Sequence, residues 1–366
     1  MIRVAMLSFW HVHGRDYARA AEEHPETEIV AVWDENPERG QAEAAQRGVP
    51  FFAKLTDLLA QPNIDAVIVD SPTSLHRDVM VAAAKAGKHI FTEKVLAATL
   101  REAEEIVDAV EQAGVAFVVS MRRLTDPSTV AIRELIAQGV LGDLTLVRVR
   151  DSHSGALRSA ERPEGWLPPQ FYSPEEAQGG ALIDLCHPVY LTRAFLGRPE
   201  GVSAIFGHVT GRAVDDNAVV TMRYPNGAIG VAETAYAAQY SPFSIELHGT
   251  RGSVIYAETG IGEMIARFRS GAAADASGAA GGPDGKLHIR SDAVAGAERG
   301  WLVRDVPAGL PPAFDAWVAH IQAGTRATEN IAIALDLSAI VEAATQSAGT
   351  GQLVRLDALE RKVNAR

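Results

Sequence analysis

The stretch Leu7-Ser8-Phe9-Trp10-His11-Val12-His13-Gly14 follows an apolar run, Ile2–Leu7, and precedes an amphipathic one, Gly14–Glu23. A strand-to-helix turn of this kind is where a Rossmann domain holds pyrophosphate, because the free N–H groups of a helix N-terminus attract an anion. Glycines ordinarily make that turn tight and let the phosphates approach the backbone. Here Ser8, Trp10 and His13 stand where three glycines would be. Serine is small enough, but the indole of Trp10 takes space that pyrophosphate normally approaches. Phe9, His11 and Val12 join Ser8 and Trp10 as cofactor-contact candidates. His11 and His13 would face one side of a strand, at a metal-ligand spacing. No Cys, Asp or Glu cluster completes a site in sequence, so no metal is expected. Lining a cleft and ordinary packing both stay open for the pair. Asp34 closes the apolar run Glu28–Trp33. A carboxylate there bonds adenosine ribose hydroxyls and repels a 2′-phosphate, which favours NAD over NADP. It is equally placed to cap a helix opening at Pro37.

These residues need a scaffold. Strand-like runs at Ile2–Leu7, Glu28–Trp33, Ala66–Asp70, His89–Thr92 and Val115–Val119 alternate with helical stretches at Gly14–Glu23, Pro37–Arg47, Leu75–Ala86 and Thr99–Ala113. Near-continuous Val/Ile/Leu runs separated by helices predict a doubly wound parallel sheet covered on both faces. After residue 121 the pattern changes. A helix at Ser128–Ala137 is followed by strands at Leu144–Arg150, Val202–Val209, Ala218–Tyr224, Ile229–Ala235, Phe243–Leu247 and Ser253–Tyr256, with a hairpin turn at Tyr224-Pro225-Asn226-Gly227. This predicts an α+β domain on a mostly antiparallel open sheet. The expected division is 1–121 and 122–366, with helices Pro312–Gln322 and Ile331–Ser347 closing the chain and the last returning to the first domain. Ser270–Gly300 is rich in Ala, Gly, Asp and Ser and reads as a surface excursion, a lid or an oligomer arm.

Across 366 residues, 47% are hydrophobic and 22% charged, enough for a sizeable core. A net charge of −12 disfavours nucleic acid and anionic membrane as partners. No run reads as a membrane span or a signal peptide, and the lone Cys186 suits a reducing cytoplasm.

Three further segments resemble the Gfo/Idh/MocA family. Ser71-Pro72-Thr73-Ser74-Leu75-His76 is similar to its T-P-N-x-x-H. Ala86-Gly87-Lys88-His89-Ile90-Phe91-Thr92-Glu93-Lys94 is similar to its A-G-K-H-V-x-x-E-K-P. Gly179-Gly180-Ala181-Leu182-Ile183-Asp184-Leu185-Cys186-His187 resembles its G-G-A-L-x-D-x-G-x-H. Arg122-Arg123, the Leu247–Ser253 turn and Ser347–Val354 add weaker likenesses, so the resemblance runs along almost the whole chain. It implies an NAD(H)-dependent oxidoreductase acting by hydride transfer on a sugar, polyol or glycoside hydroxyl or carbonyl. NADP is the less favoured cofactor, and a homodimer or homotetramer is expected. It also implies roles. Lys94 polarises the reacting oxygen, His187 exchanges its proton and Asp184 assists the histidine. Ser71, Pro72, Thr73, His76, Glu93, Lys94 and Arg122 join the cofactor set. Arg122, Arg123, His153, His11 and Trp166 are candidate substrate contacts.

The chain departs from the pattern at the missing glycines, at Thr73, at Val95 in place of proline, and in the Asp184–His187 interval, three instead of four. With Val95 there, a cis bond is not expected. One helical face is expected to carry both Asp184 and His187. The rival expectation is a non-catalytic sensor or regulator on the same fold.

Overall fold

The structure is a computed structural model that describes residues 1–258 and 285–359. The chain falls into two compact units, Met1–Met121 with Pro311–Ser338, and Arg122–Leu310 with Ala339–Arg366.

In the first unit, β1 (Ile2–Leu7), α1 (Gly14–Glu23), β2 (Thr27–Trp33), α2 (Pro37–Arg47), β3 (Phe51–Phe52), α3 (Leu55–Leu59), β4 (Ala66–Val69), α4 (His76–Lys85), β5 (His89–Thr92), α5 (Leu100–Ala113) and β6 (Phe117–Val119) follow one another. The strands pair in parallel in the order β3-β2-β1-β4-β5-β6. Strand order reverses between β1 and β4, so the crevice at their carboxyl ends is where such sheets bind ligands. Val4, Ala5, Met6 and Leu7 are fully buried, as a strand covered on both faces requires. On one face Ala18 and Ala21 of α1 pack with Phe91 and with Phe314 and Trp317 of helix Ala313–Ala323. Phe91 lies 5.7 Å from Trp317 between ring centroids.

Local signals set the helix ends. Asn36 caps α2, accepting from the Glu38 and Arg39 amides at 3.1 Å. Thr99 caps α5, its hydroxyl oxygen accepting from the Glu102 amide at 3.3 Å and donating to the Glu102 carboxylate at 2.7 Å. β3 and α3 are too short to show a period in sequence.

The second unit holds a nine-stranded sheet. Its strands are β7 (Leu144–Ser152), β8 (Gly201–Gly207), β9 (Asn217–Arg223), β10 (Ile229–Ala235), β11 (Ser244–Gly249), β12 (Gly252–Ala257), β13 (Leu287–Ser291), β14 (Leu302–Arg304) and β15 (Val354–Arg355), in the order β14-β13-β12-β11-β7-β10-β9-β8-β15. Only the β7–β10 pair is parallel among the described residues. The β9–β10 hairpin turns at Gly227, whose φ of 84° suits glycine. Helices α6 (Pro127–Ala137), α7 (Pro174–Ala177), α8 (Ala181–Asp184) and α9 (His187–Leu196) belong to this unit.

One expectation needs correction. Part of Ser270–Gly300 is regular: β13 alternates buried and exposed residues and pairs with β12 and β14, while 259–284 lies outside the described residues. One helix, Thr328–Thr350, is long and apolar enough to cross a membrane by length and composition. In its most apolar window 67% of the residues are buried, which is how a core helix meets the same test. Its residues through Ser338 group with the first unit and those from Ala339 with the second.

Candidate active site

Parallel pairing brings the carboxyl ends of β1, β2, β4 and β5 to one edge of the first unit, and most of the expected site residues stand there. Ser8 has φ 78°, the left-handed conformation that glycine adopts at such turns. The backbone shape of the phosphate turn is therefore kept with a serine in place. Gly14 does the close-packing work. A Cβ on it would lie 2.4 Å from Asp70 Oδ2 and 3.2 Å from the Phe9 Cα. No side chain caps α1, so its N-terminus stays available to an anion.

The turn's own amides are largely engaged. The Phe9 amide donates to Asp34 Oδ2 (3.0 Å), that of Trp10 to Ser8 Oγ (3.1 Å), that of His11 to the Asp70 carbonyl (3.3 Å) and that of His13 to His11 Nδ1 (3.3 Å). Phe9 packs its ring into the core beneath Arg47, and Trp10 is buried. Val12 is exposed.

Asp34 is not the helix cap, since Asn36 takes that place. Its carboxylate accepts from the Phe9 amide, from the Asn36 amide (2.8 Å) and from Arg39 through two nitrogens at 2.9 and 2.7 Å. That fills its acceptor capacity. Next to it Glu35 also pairs with Arg39, and its Oε2 is buried with no hydrogen-bond partner. Burial, then Asp34, pushes the Glu35 carboxyl above its usual range. The acidic oxygen without a partner at this strand end is Glu35 Oε2, which sequence reasoning passed over because a strand-end Asp already filled the expected role.

After β4, Ser71 Oγ is buried without a partner and Thr73 is buried beside it in sequence. His76 is placed differently from expectation. Its Nδ1 lies 2.8 Å from the Val95 carbonyl and its Nε2 3.1 Å from that of Ser71. Burial holds its imidazole below the usual value. His76 thus braces two loops instead of pointing at a ligand. The bond between Lys94 and Val95 is cis, contrary to the expectation from the missing proline. Sequence alone weighs the intrinsic peptide preference, whereas here the tertiary setting fixes the loop, with the Val95 carbonyl held by His76.

After β5, Glu93 and Lys94 are both buried, with Nζ 3.4 Å from Oε1. Burial raises Glu93, but Lys94, His11, His13 and a hydrogen bond from Tyr17 together hold it below its usual range. The Tyr17 oxygen also accepts from the Ser120 hydroxyl at 2.8 Å. Asp70 completes this edge, fully buried, its carboxyl pushed well up by burial and then by Glu93. Tyr17 and Asp70 carried no sequence signal, one reading as a helix residue and the other as a strand end. His11 and His13 have ring centroids 5.0 Å apart, but the carboxylates gathered near His11 are those of Asp70 and Glu93.

In the second unit Asp184 ends α8 and His187 opens α9. The single helical face expected to carry both does not exist, because Leu185 leaves helical geometry with ψ 44°. Asp184 acts on Tyr236, whose hydroxyl is driven well up by burial and then by that carboxylate. The cap of α8 is Asp215, which accepts from the Gly180 and Leu182 amides at 2.8 and 2.9 Å. His187 is buried. His153 stacks on Tyr236 at 5.1 Å and meets Trp166 at 4.6 Å, so both pack in an aromatic cluster. Arg123 is held among Glu258 (2.7 Å), Asp126 (3.0 Å) and the Phe243 ring, whereas Arg122 is exposed.

The donor set fits a dinucleotide. A left-handed residue at the turn, an uncapped α1 and unpaired buried acceptors on Glu35 and Ser71 flank the reversal between β1 and β4.

Comparison with known proteins agrees. Residues 2–121 match the oxidoreductase family model with an NAD-binding Rossmann fold, and residues 129–255 match the GFO/IDH/MocA C-terminal domain. The chain is 30% identical over 233 residues to a 1,5-anhydro-D-fructose reductase of Ensifer adhaerens, covering 62% of this chain and 68% of that one. It is 29% identical over 208 residues to a myo-inositol 2-dehydrogenase of Thermotoga maritima, covering 54% and 58%. The aligned stretches thus span about two thirds or less of each relative's length. A levoglucosan dehydrogenase solved with NADH and L-sorbose superposes with a TM-score of 0.78 at 20% identity, covering 98% and 100%, which establishes the shared fold. With residues 2–121 and 129–255 matched in order, the protein belongs to the Gfo/Idh/MocA family of oxidoreductases.

Proposed function

We propose that the protein is an NAD(H)-dependent dehydrogenase or reductase that moves a hydride between the nicotinamide and a hydroxyl or carbonyl carbon of a sugar, polyol or glycoside. The observation that carries this is one strand edge, where Glu35 Oε2 and Ser71 Oγ are buried without hydrogen-bond partners and the Glu93–Lys94 ion pair is buried, along strands either side of the topological switch. The substrate class follows from the sugar- and polyol-directed names of its relatives. When bound, the nicotinamide supplies the hydride acceptor. Ser8, Trp10, His11, Val12 and the α1 N-terminus would hold the pyrophosphate, with Phe9 contributing backbone alone. Ser71, Pro72, Thr73 and Arg122 would complete the cofactor contacts, with His76 as their brace. Lys94 polarises the reacting oxygen, with Glu93 fixing its ammonium. His187 takes the role the resemblance gives it, exchanging the hydroxyl proton.

NAD is the proposed cofactor. Asp34 and Glu35 together outweigh Arg39 in charge, so the strand end repels a 2′-phosphate. The first unit, 1–121 with 311–338, would carry the cofactor, and the rest of 122–366 the substrate and self-association surfaces. Ile205, Val219 and Ile229 share one exposed sheet face, on which a homodimer or homotetramer would form.

Titration with NADH, followed at the tryptophans, tests the reading. We expect saturable binding, and NAD-linked turnover on a panel of sugars and polyols. No binding of NADH or NADPH up to millimolar concentration would favour the second reading, a non-catalytic sensor. That alternative draws its support from the turn amides already engaged within the chain.

A further inference from the structure

We propose that His11, Asp70 and Glu93 form a binding site for one divalent first-row transition-metal ion within the Rossmann unit. The three residues come from the turns after β1, β4 and β5, which are neighbours in the sheet. One ligand atom from each lies within 4.8 Å of the others, and all three side chains are buried. That spread is close to twice a metal–ligand bond of about 2.0–2.6 Å.

An independent observation points to an occupant. Asp70 is 0% exposed and neither carboxylate oxygen has a hydrogen-bond partner. The nearby His11 amide donates to the Asp70 main-chain carbonyl. Gly14 leaves no room for a side chain that could serve Asp70 from α1, because its own Cβ would touch Oδ2. Buried carboxylates are ordinarily paired, hydrogen-bonded or bound to metal. Lys94 approaches Glu93 at 3.4 Å, which accounts for one of the two negative charges.

The donor set defines the ion class. One imidazole nitrogen and two carboxylate oxygens suit Mn²⁺, Fe²⁺, Co²⁺ or Zn²⁺, and lack the thiolates that select Cu⁺. Three protein ligands leave positions open for water, as in catalytic rather than closed structural sites. The site shares His11 and Glu93 with the dinucleotide reading, but its test uses no cofactor, so the two readings fail separately.

The experiment is Mn²⁺ binding to the full chain after chelator treatment, with free Mn²⁺ counted by electron paramagnetic resonance. The expected result is one equivalent per chain, with affinity lowered at least about tenfold in both Asp70→Asn and His11→Gln. His13→Gln, outside the ligand set, should bind within about threefold of the parent. Thermal unfolding of the unmodified chain with and without Mn²⁺ covers the case of variants that fail to fold, and an upward shift is expected. Less than about 0.1 equivalent bound at millimolar Mn²⁺, no thermal shift, or unchanged affinity in correctly folded Asp70→Asn overturns the proposal.

Discussion

The two units treat their site residues differently. In the first, motifs from four separate stretches of sequence meet at one edge. In the second, a single nine-residue motif that looks self-contained is cut between its two candidate site residues, Asp184 and His187. The difference lies in what each prediction relies on. In a parallel sheet every carboxyl end points the same way, so convergence follows from topology and tolerates local error. The Asp184–His187 pairing relied on one uninterrupted helix, and two non-helical residues, Leu185 and Cys186, removed it.

The largest effect should come from Lys94→Ala. We expect turnover to fall by about 10²–10⁴-fold with NADH affinity changed only a few-fold. Equal losses in both would remove Lys94 from the chemistry. In the second unit, His187→Ala should cost about 10²-fold in kcat, while Asp184→Asn should cost less and be matched by Tyr236→Phe, its observed partner. If Asp184→Asn instead copies His187→Ala, the pair works as a unit despite the break. Gly14→Ala tests the close packing on which the first unit's edge depends. With backbone and a buried carboxylate in its way, a loss of about 1–3 kcal/mol by urea unfolding is expected. Cofactor affinity separates the two acids after β2: Glu35→Gln should weaken NADH binding, whereas Asp34→Asn should act first on stability by releasing Arg39.

The smallest effect is expected at the opposite end of the first sheet. Arg3 beside Asp65 lowers that carboxyl to about 2. Its folded value lies below its unfolded one, so the pair stabilises above the unfolded pKa and is lost as pH falls. Asp65→Asn should therefore differ from the parent at pH 7, and the difference should fade between about pH 5 and pH 2. A gap that persists at pH 2 would mean packing, not charge, is lost.

Much of the fold was readable. Gly14–Glu23 and Pro37–Arg47 have the ends their patterns indicate, because Gly14 and the Asn36-Pro37 start act within a few residues. β3 and α3 were not readable, since two and five residues hold no period. Ser8, Asp34, Ser71, Glu93 and Lys94 stand at the expected edge. His76, Phe9 and Arg123 were recognised by type but turned to structural work, and type alone does not say which way a side chain faces.

The sequence by itself determined the alternation of strands and helices, hence the parallel sheet, its switch point and the family, because periodicity and short motifs are local. Tertiary structure decided the rest. It gave Ser8 a glycine's conformation, saturated Asp34 so that Glu35 is the open acid, and set Asp70 against Gly14 beside His11 and Glu93. Each of these depends on which atoms occupy the few ångströms around a buried polar group, and those atoms come from residues tens of positions apart.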